Sequence, residues 1–460
     1  MRMGASLRTV PAASWATGAI LAAGYGLSLT VNWPGHLSYD SVIQLLEGRT
    51  RVYSGWHPPV MSWLLGAFDA LVPGTALFVL LNTTLLYGAL FTLLFLVPAP
   101  RWVAAPVALL AIITPQLLLF PGVVWKDVLF AAAMVAGFVL IANAAVRWHA
   151  QRLRFALIAG ALALLSLAAL ARQNGMILAP FAALAIGWSA ARHAPARKFT
   201  AAALYTIGWL VVMSAAVVGS EAALELRSNG ESSPLAQLRL LQIYDLAGAL
   251  AHDPHLALEE IHDDDPELES ILRNDAAQRY TPASEEPLAN LAPLQKELEN
   301  VADDTVPLQW RQFVLSHPLL YLRLRWDAFR FVFFTPDIVA ARPALTGVSG
   351  PRDVMRKLAL PERQDARDKA LADYTMFVGR SFVLRHWFWA VVTLGGLVAL
   401  LRRRDPADIA IAAMLAGALA FTASFFFLSL VGDYRYLYPL DAAGIAGLLY
   451  VALSFPLRLD

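Results

Sequence analysis

The sequence predicts an all-α polytopic membrane protein of about ten transmembrane helices, with short helices lying along the membrane surface and one large loop between spans seven and eight. Three observations predict it. Hydrophobic residues make up 58% of the 460 residues and charged residues only 15%, against about 25% charge in an ordinary soluble domain. Mean hydropathy is +0.54. The charges that exist are unevenly placed: 9–39, 75–100, 102–125, 128–146, 173–191, 200–220 and 409–432 contain no Lys, Arg, Asp or Glu. A bilayer core about 30 Å thick takes roughly 20 apolar residues of helix. This excludes a soluble enzyme, a secreted disulfide scaffold and a nucleic-acid binder as readings of the whole chain. The absence of cysteine excludes thiolate chemistry.

Orientation follows from the basic clusters, because short cytoplasmic loops are rich in Lys and Arg. The clusters are Arg2 and Arg8; Arg101; Arg147, Arg152 and Arg154; Arg192, Arg197 and Lys198; Arg402, Arg403 and Arg404; and Arg458. Placing all of them inside gives spans near 12–32, 75–97, 103–120, 128–146, 155–171, 175–191, 199–219, 386–401, 407–430 and 436–455, with both termini cytoplasmic. The first span is preceded by Arg2 and Arg8, as in a signal peptide. It is too long for one and is read as a retained helix. The apolar stretch 58–72 is short, carries Asp69, and would reverse the later clusters if counted. It reads as a helix along the outer surface.

Three regions result: a membrane module 1–220, a large loop region 221–385 and a terminal membrane segment 386–460. Within the loop, 221–304 is polar and acidic, with Glu259-Glu260 and Asp263-Asp264-Asp265. Stretch 313–334 mixes aromatic and aliphatic residues with Arg323, Arg325, Asp327 and Arg330, a pattern for an amphipathic interfacial helix. The 351–385 segment reads as soluble and helical.

Every candidate polar group falls on the outer face. Asp40 follows the first span in a loop of aromatic and small residues, with Tyr39 beside it. A carboxylate there serves as proton acceptor, metal ligand or helix cap. Lys126-Asp127 joins the third and fourth spans, as a phosphate-binding cation beside a second carboxylate or as interface anchors. Arg172-Gln173-Asn174-Gly175 forms a tight turn after the fifth span, where an outside Arg suits an anionic partner or snorkels to headgroups. Gly432-Asp433-Tyr434-Arg435-Tyr436-Leu437-Tyr438-Pro439 precedes the last span. Its tyrosines suit an aromatic belt, and Arg435 among them suits a phosphate or a sugar. Asp441, just inside that span, reads as lying close to the interface rather than as an intramembrane acid. Gly55-Trp56-His57-Pro58-Pro59 opens the surface helix. His252, His255 and His262 beside aspartates read as a solvated loop.

In this order the elements resemble the GT-C superfamily of membrane glycosyltransferases, nearest to the protein O-mannosyltransferase and aminoarabinose transferase type. Those proteins have an Asp in the first outer loop, matched by Asp40. A Lys- or His-Pro-Pro element then opens a juxtamembrane helix, matched by His57-Pro58-Pro59. A second Asp in the next outer loop is matched by Asp127. Arg172-Gln173-Asn174-Gly175 stands where the family has a Thr-Lys-Gly-like turn. Ser41 stands where the family often has an acidic residue, and Val128-Leu129 where it often has a proline. The match covers roughly 12–220.

The resemblance implies inverting transfer of a sugar from a polyprenyl-phosphate donor to an envelope acceptor (glycolipid, glycan or protein), on the periplasmic face of a bacterial inner membrane. It implies Asp40 as base or acceptor-orienting group, and Asp127 assisting. Lys126, Arg172 and Arg435 would hold the lipid phosphate, and Tyr39, His57, Asn174, Tyr434 and Tyr436 would support them. Asp40 and Asp127 are the residues that would take a divalent cation, Mg or Mn, if one is used. An O-antigen ligase or polymerase and a flippase or transporter of lipid-linked sugars are the alternatives.

Overall fold

A computed structural model describes residues 11–53, 57–226, 236–430 and 432–454. The clusters Arg2–Arg8 and Arg458, and the residues Gly55 and Trp56, lie outside the described residues. Helix makes up 78% of the described residues, with no strand among them. Among the described residues, three isolated bridges join backbone segments, at His36–Val123, Leu37–Val348 and Val348–Arg363.

Among the described residues seven helices are long and apolar enough to cross a bilayer: Ala76–Phe95, Lys126–Val146, Gln151–Ala171, Gly175–His193, Pro195–Glu225, Pro406–Leu428 and Tyr434–Ser454. Helices Ala12–Asn32 and His386–Arg403 have the length but fall short by composition. The expected single helix over 103–120 is instead a bent pair, Ala104–Ile112 and Pro115–Gly122, with 72° between them. Pro115 has no N–H to donate and disfavours helical geometry at Thr114 before it, which is extended.

Lys126–Val146 is the central helix. Nearly all of it is buried, against 76–95, 151–171, 175–193, 406–428 and 434–454. Its small residues let neighbours approach: a Cβ on Gly137 would come within 2.7 Å of Leu165. Without a hydrophobic drive between helices in lipid, such close packing holds a bundle together. Phe130 stacks on Phe421 with centroids 4.4 Å apart.

At one end of the bundle the basic loops touch each other. Arg101 N–H donates to the Leu453 carbonyl, Arg147 to the Phe95 carbonyl, Arg192 to the Arg404 carbonyl, and Arg403 to the Ser454 hydroxyl. The opposite end carries the candidate groups.

The stretch expected as a surface helix over 58–72 is the helix Pro59–Asp69. It pairs with Tyr39–Thr50. The two cross at Gly48 and Gly66, where a Cβ on Gly48 would lie 2.2 Å from the Ser62 carbonyl oxygen. Arg49 binds both oxygens of Asp69 at 2.8 Å, and Ser62 donates to Glu47 at 2.6 Å.

The polar region from residue 236 is a folded helical domain with its own core, including Tyr244, Leu246, Leu268, Leu272, Leu294 and Phe313. The helix expected over 313–334 is broken at His317 into Thr305–Ser316 and Pro318–Phe334, because Pro318 starts a new helix rather than continuing the old one. The second piece packs on Pro406–Leu428. Arg325 on it is fully buried. It pairs with Asp245 and donates to the carbonyls of Phe427 and Ser429 at 3.3 and 3.2 Å. Trp310 donates to the other Asp245 oxygen at 2.9 Å. In 351–385 the helices Arg352–Leu358 and Ala366–Val378 form, as expected.

Candidate functional site

The segment 35–38 is threaded between two other stretches of chain. His36 N–H donates to the Gly122 carbonyl and Val124 N–H to the His36 carbonyl, both at 3.0 Å. On its other side Leu37 N–H donates to the Gly347 carbonyl at 2.9 Å, and Ser349 N–H to the Leu37 carbonyl at 3.1 Å. Side chains tighten the register. Ser41 donates to the Val124 carbonyl at 2.6 Å, and the Trp125 indole to Ser38 at 3.0 Å. The first turn of Tyr39–Thr50, with Asp40 in it, is thereby fixed beside the first turn of Lys126–Val146, with Lys126 and Asp127 in it.

Asp40 and Arg435 form an ion pair at 2.7 Å. Asp40 also faces His57 Nε2 at 3.8 Å. Lys126 Nζ lies 3.3 Å from His57 Nδ1. When Lys126 carries its proton it only donates; Nδ1 then accepts and the ring proton sits on Nε2, toward Asp40. Arg172 Nη1 lies 2.7 Å from Asp127 Oδ1. The approach is an ion pair and not an aligned hydrogen bond, which leaves both buried Asp127 oxygens without a hydrogen-bond donor. Arg435 pairs on its other edge with Asp433 at 3.0 Å. Lys126 stands within electrostatic reach of Asp40, Asp127, Arg172 and Arg435 together.

Aromatic faces back the guanidinium groups. Arg435 lies over Trp125 and Tyr436, at 5.1 and 5.4 Å. Arg172 lies over Phe425 and Tyr436, at 5.4 and 5.3 Å. Flat cations held this way lose little freedom on meeting an anion. Gly175 lets the chain turn straight back after Arg172: a Cβ there would lie 2.8 Å from Ala169 Cα. Asn174 donates to Ser424 at 2.7 Å and ties the turn to the neighbouring helix.

Burial alone would raise the Asp40 carboxyl. Arg435, then His57 and Lys126, outweigh it and hold the group below the usual carboxylate value. Burial, followed by the Lys126 cation, pulls His57 well below its usual value, so the ring is neutral. Burial raises Asp433 against the pull of Arg435.

Asp40, His57, Lys126, Asp127, Arg172, Tyr436 and Arg435 therefore meet at one place, and Asn174 braces it. Two expected supporting residues do not join them. Tyr39 is 63% exposed and faces away, since Asp40 next to it in the same turn takes the inward direction. Tyr434 is fully buried and points the other way, into a network inside the bundle. It donates to Asp441, accepts from Gln116 at 2.8 Å, and Asp441 in turn binds His386 at 2.9 Å. Asp441, read from sequence as interfacial, is fully enclosed, because His386, Gln116 and Tyr434 supply its partners in place of water.

Sequence reasoning missed three members. Phe425 looked like an ordinary apolar span residue, and Trp125 stood between two expected spans without being singled out. Asp433 stood in the quoted motif but was passed over. Its signal was its place two residues before Arg435.

Among the described residues no group of three His, Cys, Asp or Glu side chains lies close enough to hold a metal ion. Asp40 and Asp127 are each already paired with an arginine. These two carboxylates as arranged do not fit such an ion, and no step below runs through one.

Comparisons of the chain with family models, with curated proteins and with solved structures found no match.

Proposed function

We propose that the protein is a membrane glycosyltransferase moving a sugar from a polyprenyl-phosphate donor to an acceptor hydroxyl or amine at the membrane surface, with inversion at the anomeric carbon. One observation carries the reading. Asp40, His57, Lys126, Asp127, Arg172 and Arg435, from five separate stretches of chain, converge at one end of the helix bundle. A lipid-linked donor has its tail in the bilayer and its phosphate at the level of the helix ends, where this cluster lies.

The chemistry follows from the groups present. Lys126, Arg172 and Arg435 bind the donor phosphate. The acceptor oxygen or nitrogen bonds to the anomeric carbon on the face opposite the phosphate. The carbon–oxygen bond to phosphate breaks, and its electron pair leaves with the polyprenyl phosphate. The three cations offset the charge that builds on the departing oxygen. The acceptor proton passes to Asp40. A carboxylate held ionised by Arg435 is a weak base, so it orients the acceptor and takes the proton late, as bonding to carbon acidifies the group. Neutral His57 steadies Asp40 from its other side. Asp127, neutralised by Arg172, fixes that arginine's direction.

The orientation belongs to the same proposal. Arg101, Arg147, Arg152, Arg154, Arg192, Arg197, Lys198 and Arg402–Arg404 mark the cytoplasmic end, and the site is then periplasmic in a bacterial inner membrane. Counting the bent pair and helices Ala12–Asn32 and His386–Arg403 with the seven candidates makes ten crossings.

A second reading, movement of lipid-linked sugars across the membrane, draws on two features: the helix pair bent by 72° and the buried Asp441–His386 pair. Broken helices and buried ionisable groups are transporter traits.

The deciding experiment uses purified protein in detergent, with radiolabelled decaprenyl-phosphoryl sugars and an envelope lipid and glycan extract as acceptors. Transfer of label to a new product in detergent, lost in Asp40→Asn, supports the enzyme. No product in detergent, together with donor movement across proteoliposomes, overturns it in favour of transport.

A further inference from the structure

The loop domain touches the turn that carries Asp433 and Arg435. Its stretch 281–286 lies against the turn before the last helix: Gly432 N–H donates to the Ala283 carbonyl at 2.8 Å. There is little room for this contact to shift. A Cβ on Gly432 would lie 3.3 Å from Phe331 Cβ and 3.4 Å from the Ala283 oxygen. From inside the domain, Tyr244 donates to the Thr281 carbonyl at 2.9 Å. Arg325 fastens the domain to Phe427 and Ser429, just before the same turn. Tyr434 N–H is held by the Ala341 carbonyl at 2.8 Å. The turn that presents Asp433 and Arg435 is thus gripped on three sides by the region between residues 226 and 385.

Glu285 is two residues from Ala283. It lies within electrostatic reach of Asp433 and Arg435, and Tyr436 feels it in turn. Its Oε2 is buried and has no hydrogen-bond partner among the described residues. The two carboxylates paired with Arg435 are engaged, and Asp127 is ion-paired with Arg172. Asp40 is paired with Arg435 and faces His57. Asp433 is paired with Arg435 and accepts from the Arg435 N–H at 3.1 Å. A buried acceptor oxygen without a donor is costly and uncommon. Here the missing donor has a natural source. A sugar bonded through its anomeric carbon to a phosphate on Arg435 has its ring beside that arginine, and its hydroxyls are hydrogen-bond donors.

We propose that Glu285 is a sugar-binding residue: its buried free oxygen accepts a hydrogen bond from a hydroxyl of the sugar on the lipid-linked donor, and the loop domain is the element that carries it there. This rests on the transferase reading. The domain then contributes directly to donor recognition, and sugar selectivity is divided between the membrane bundle, which holds the phosphate, and the domain, which reads the ring.

The test is binding to the purified full-length protein. The probes are decaprenyl phosphate alone and decaprenyl phosphate carrying mannose, glucose, ribose or arabinose. The wild type is expected to prefer at least one sugar-bearing lipid over the bare lipid by about tenfold, as for one hydrogen bond to a charged acceptor. Glu285→Ala should bind the bare lipid within about twofold of wild type and lose the preference. Glu285→Gln, which keeps an acceptor oxygen but no charge, should fall between. Retention of the full preference in Glu285→Ala overturns the proposal. So does an equal loss of bare and sugar-bearing lipid, which marks structural damage and not ring contact. So does a wild type that takes the bare lipid with no preference for any sugar. A wild type that binds none of the lipid phosphates overturns the transferase reading, and this proposal with it.

Discussion

Arg435 Nη1 lies 2.7 Å from Asp40 Oδ2, joining the first polar turn of the chain to the last across 395 residues of sequence. The pair holds one carboxylate charged and turns one guanidinium toward the place where Lys126 and Arg172 also lie. Asp40→Asn keeps the shape and removes the charge. Transfer should fall by at least about a hundredfold, the scale of one general base, while the protein still purifies as a folded species. Retained activity in that variant would remove Asp40 from the mechanism.

Arg435→Lys should act on the donor more than on the acceptor. Lysine keeps a charge but cannot bridge Asp40 and Asp433 with a flat two-edged fork, nor lie flat on Trp125 and Tyr436. The expected result is a rise of about tenfold or more in the KM for the polyprenyl-phosphate donor, as for loss of a charge-assisted bond, with the acceptor KM changed much less. An acceptor effect equal to the donor effect would argue against phosphate binding at this residue.

The histidines predict a pH dependence of stability. Burial lowers His57 from 6.5 to about 3 and His36 to about 4. In the unfolded chain both take up a proton as pH falls through about 6.5, while the folded protein resists until near its lower values. The unfolded state therefore binds more protons across that window, and stability falls with falling pH. Asp40 acts in the same direction at lower pH, with a folded value below its usual 3.8. It stays charged throughout the window and adds stability that is lost only in stronger acid. His57→Gln should show a smaller drop in melting temperature between pH 7.5 and pH 5 than wild type. Equal drops would mean that His57 does not titrate this way.

Arg325 and Asp245 form a fully enclosed pair. Removing one partner strands a buried charge, which costs about 3–5 kcal/mol. Arg325→Met should loosen the loop domain, read as faster hydrogen exchange over 243–328. The double variant Asp245→Leu/Arg325→Met should recover much of the loss, because the stranded charge goes too. A double variant as unstable as the single one would show that the bonds to Phe427 and Ser429 matter more than the ion pair.

Orientation is testable because the chain contains no cysteine, so each introduced thiol reports alone. Ala150→Cys, at the basic end, should resist a membrane-impermeant maleimide in intact cells. Ser270→Cys, in the loop domain, should react. Both positions are exposed. The reverse pattern would put the site on the cytoplasmic side.

Much of the fold was legible in order. Long uncharged runs make membrane helices because a backbone in lipid must satisfy its own hydrogen bonds. Asp40, His57, Lys126, Asp127, Arg172 and Arg435 stood out because charge near apolar runs is expensive to keep. Trp125 and Phe425 were invisible, since an aromatic residue in or beside a span reads as facing lipid until a guanidinium is found on its face. Tyr39 and Tyr434 misled because proximity in sequence does not fix direction: adjacent side chains on a helix point apart.

What the sequence by itself determined was the solvent of each segment, through length, apolarity and the sparse placement of charge. Which segments meet was decided only by the tertiary structure. The threading of 35–38 between 122–124 and 347–349 brings Asp40 to Lys126, and the packing of the last helix brings Arg435 to both. The physical reason is that apolar transfer is additive along a chain and can be read residue by residue. An ion pair between groups 395 positions apart exists only once the helices between them have packed.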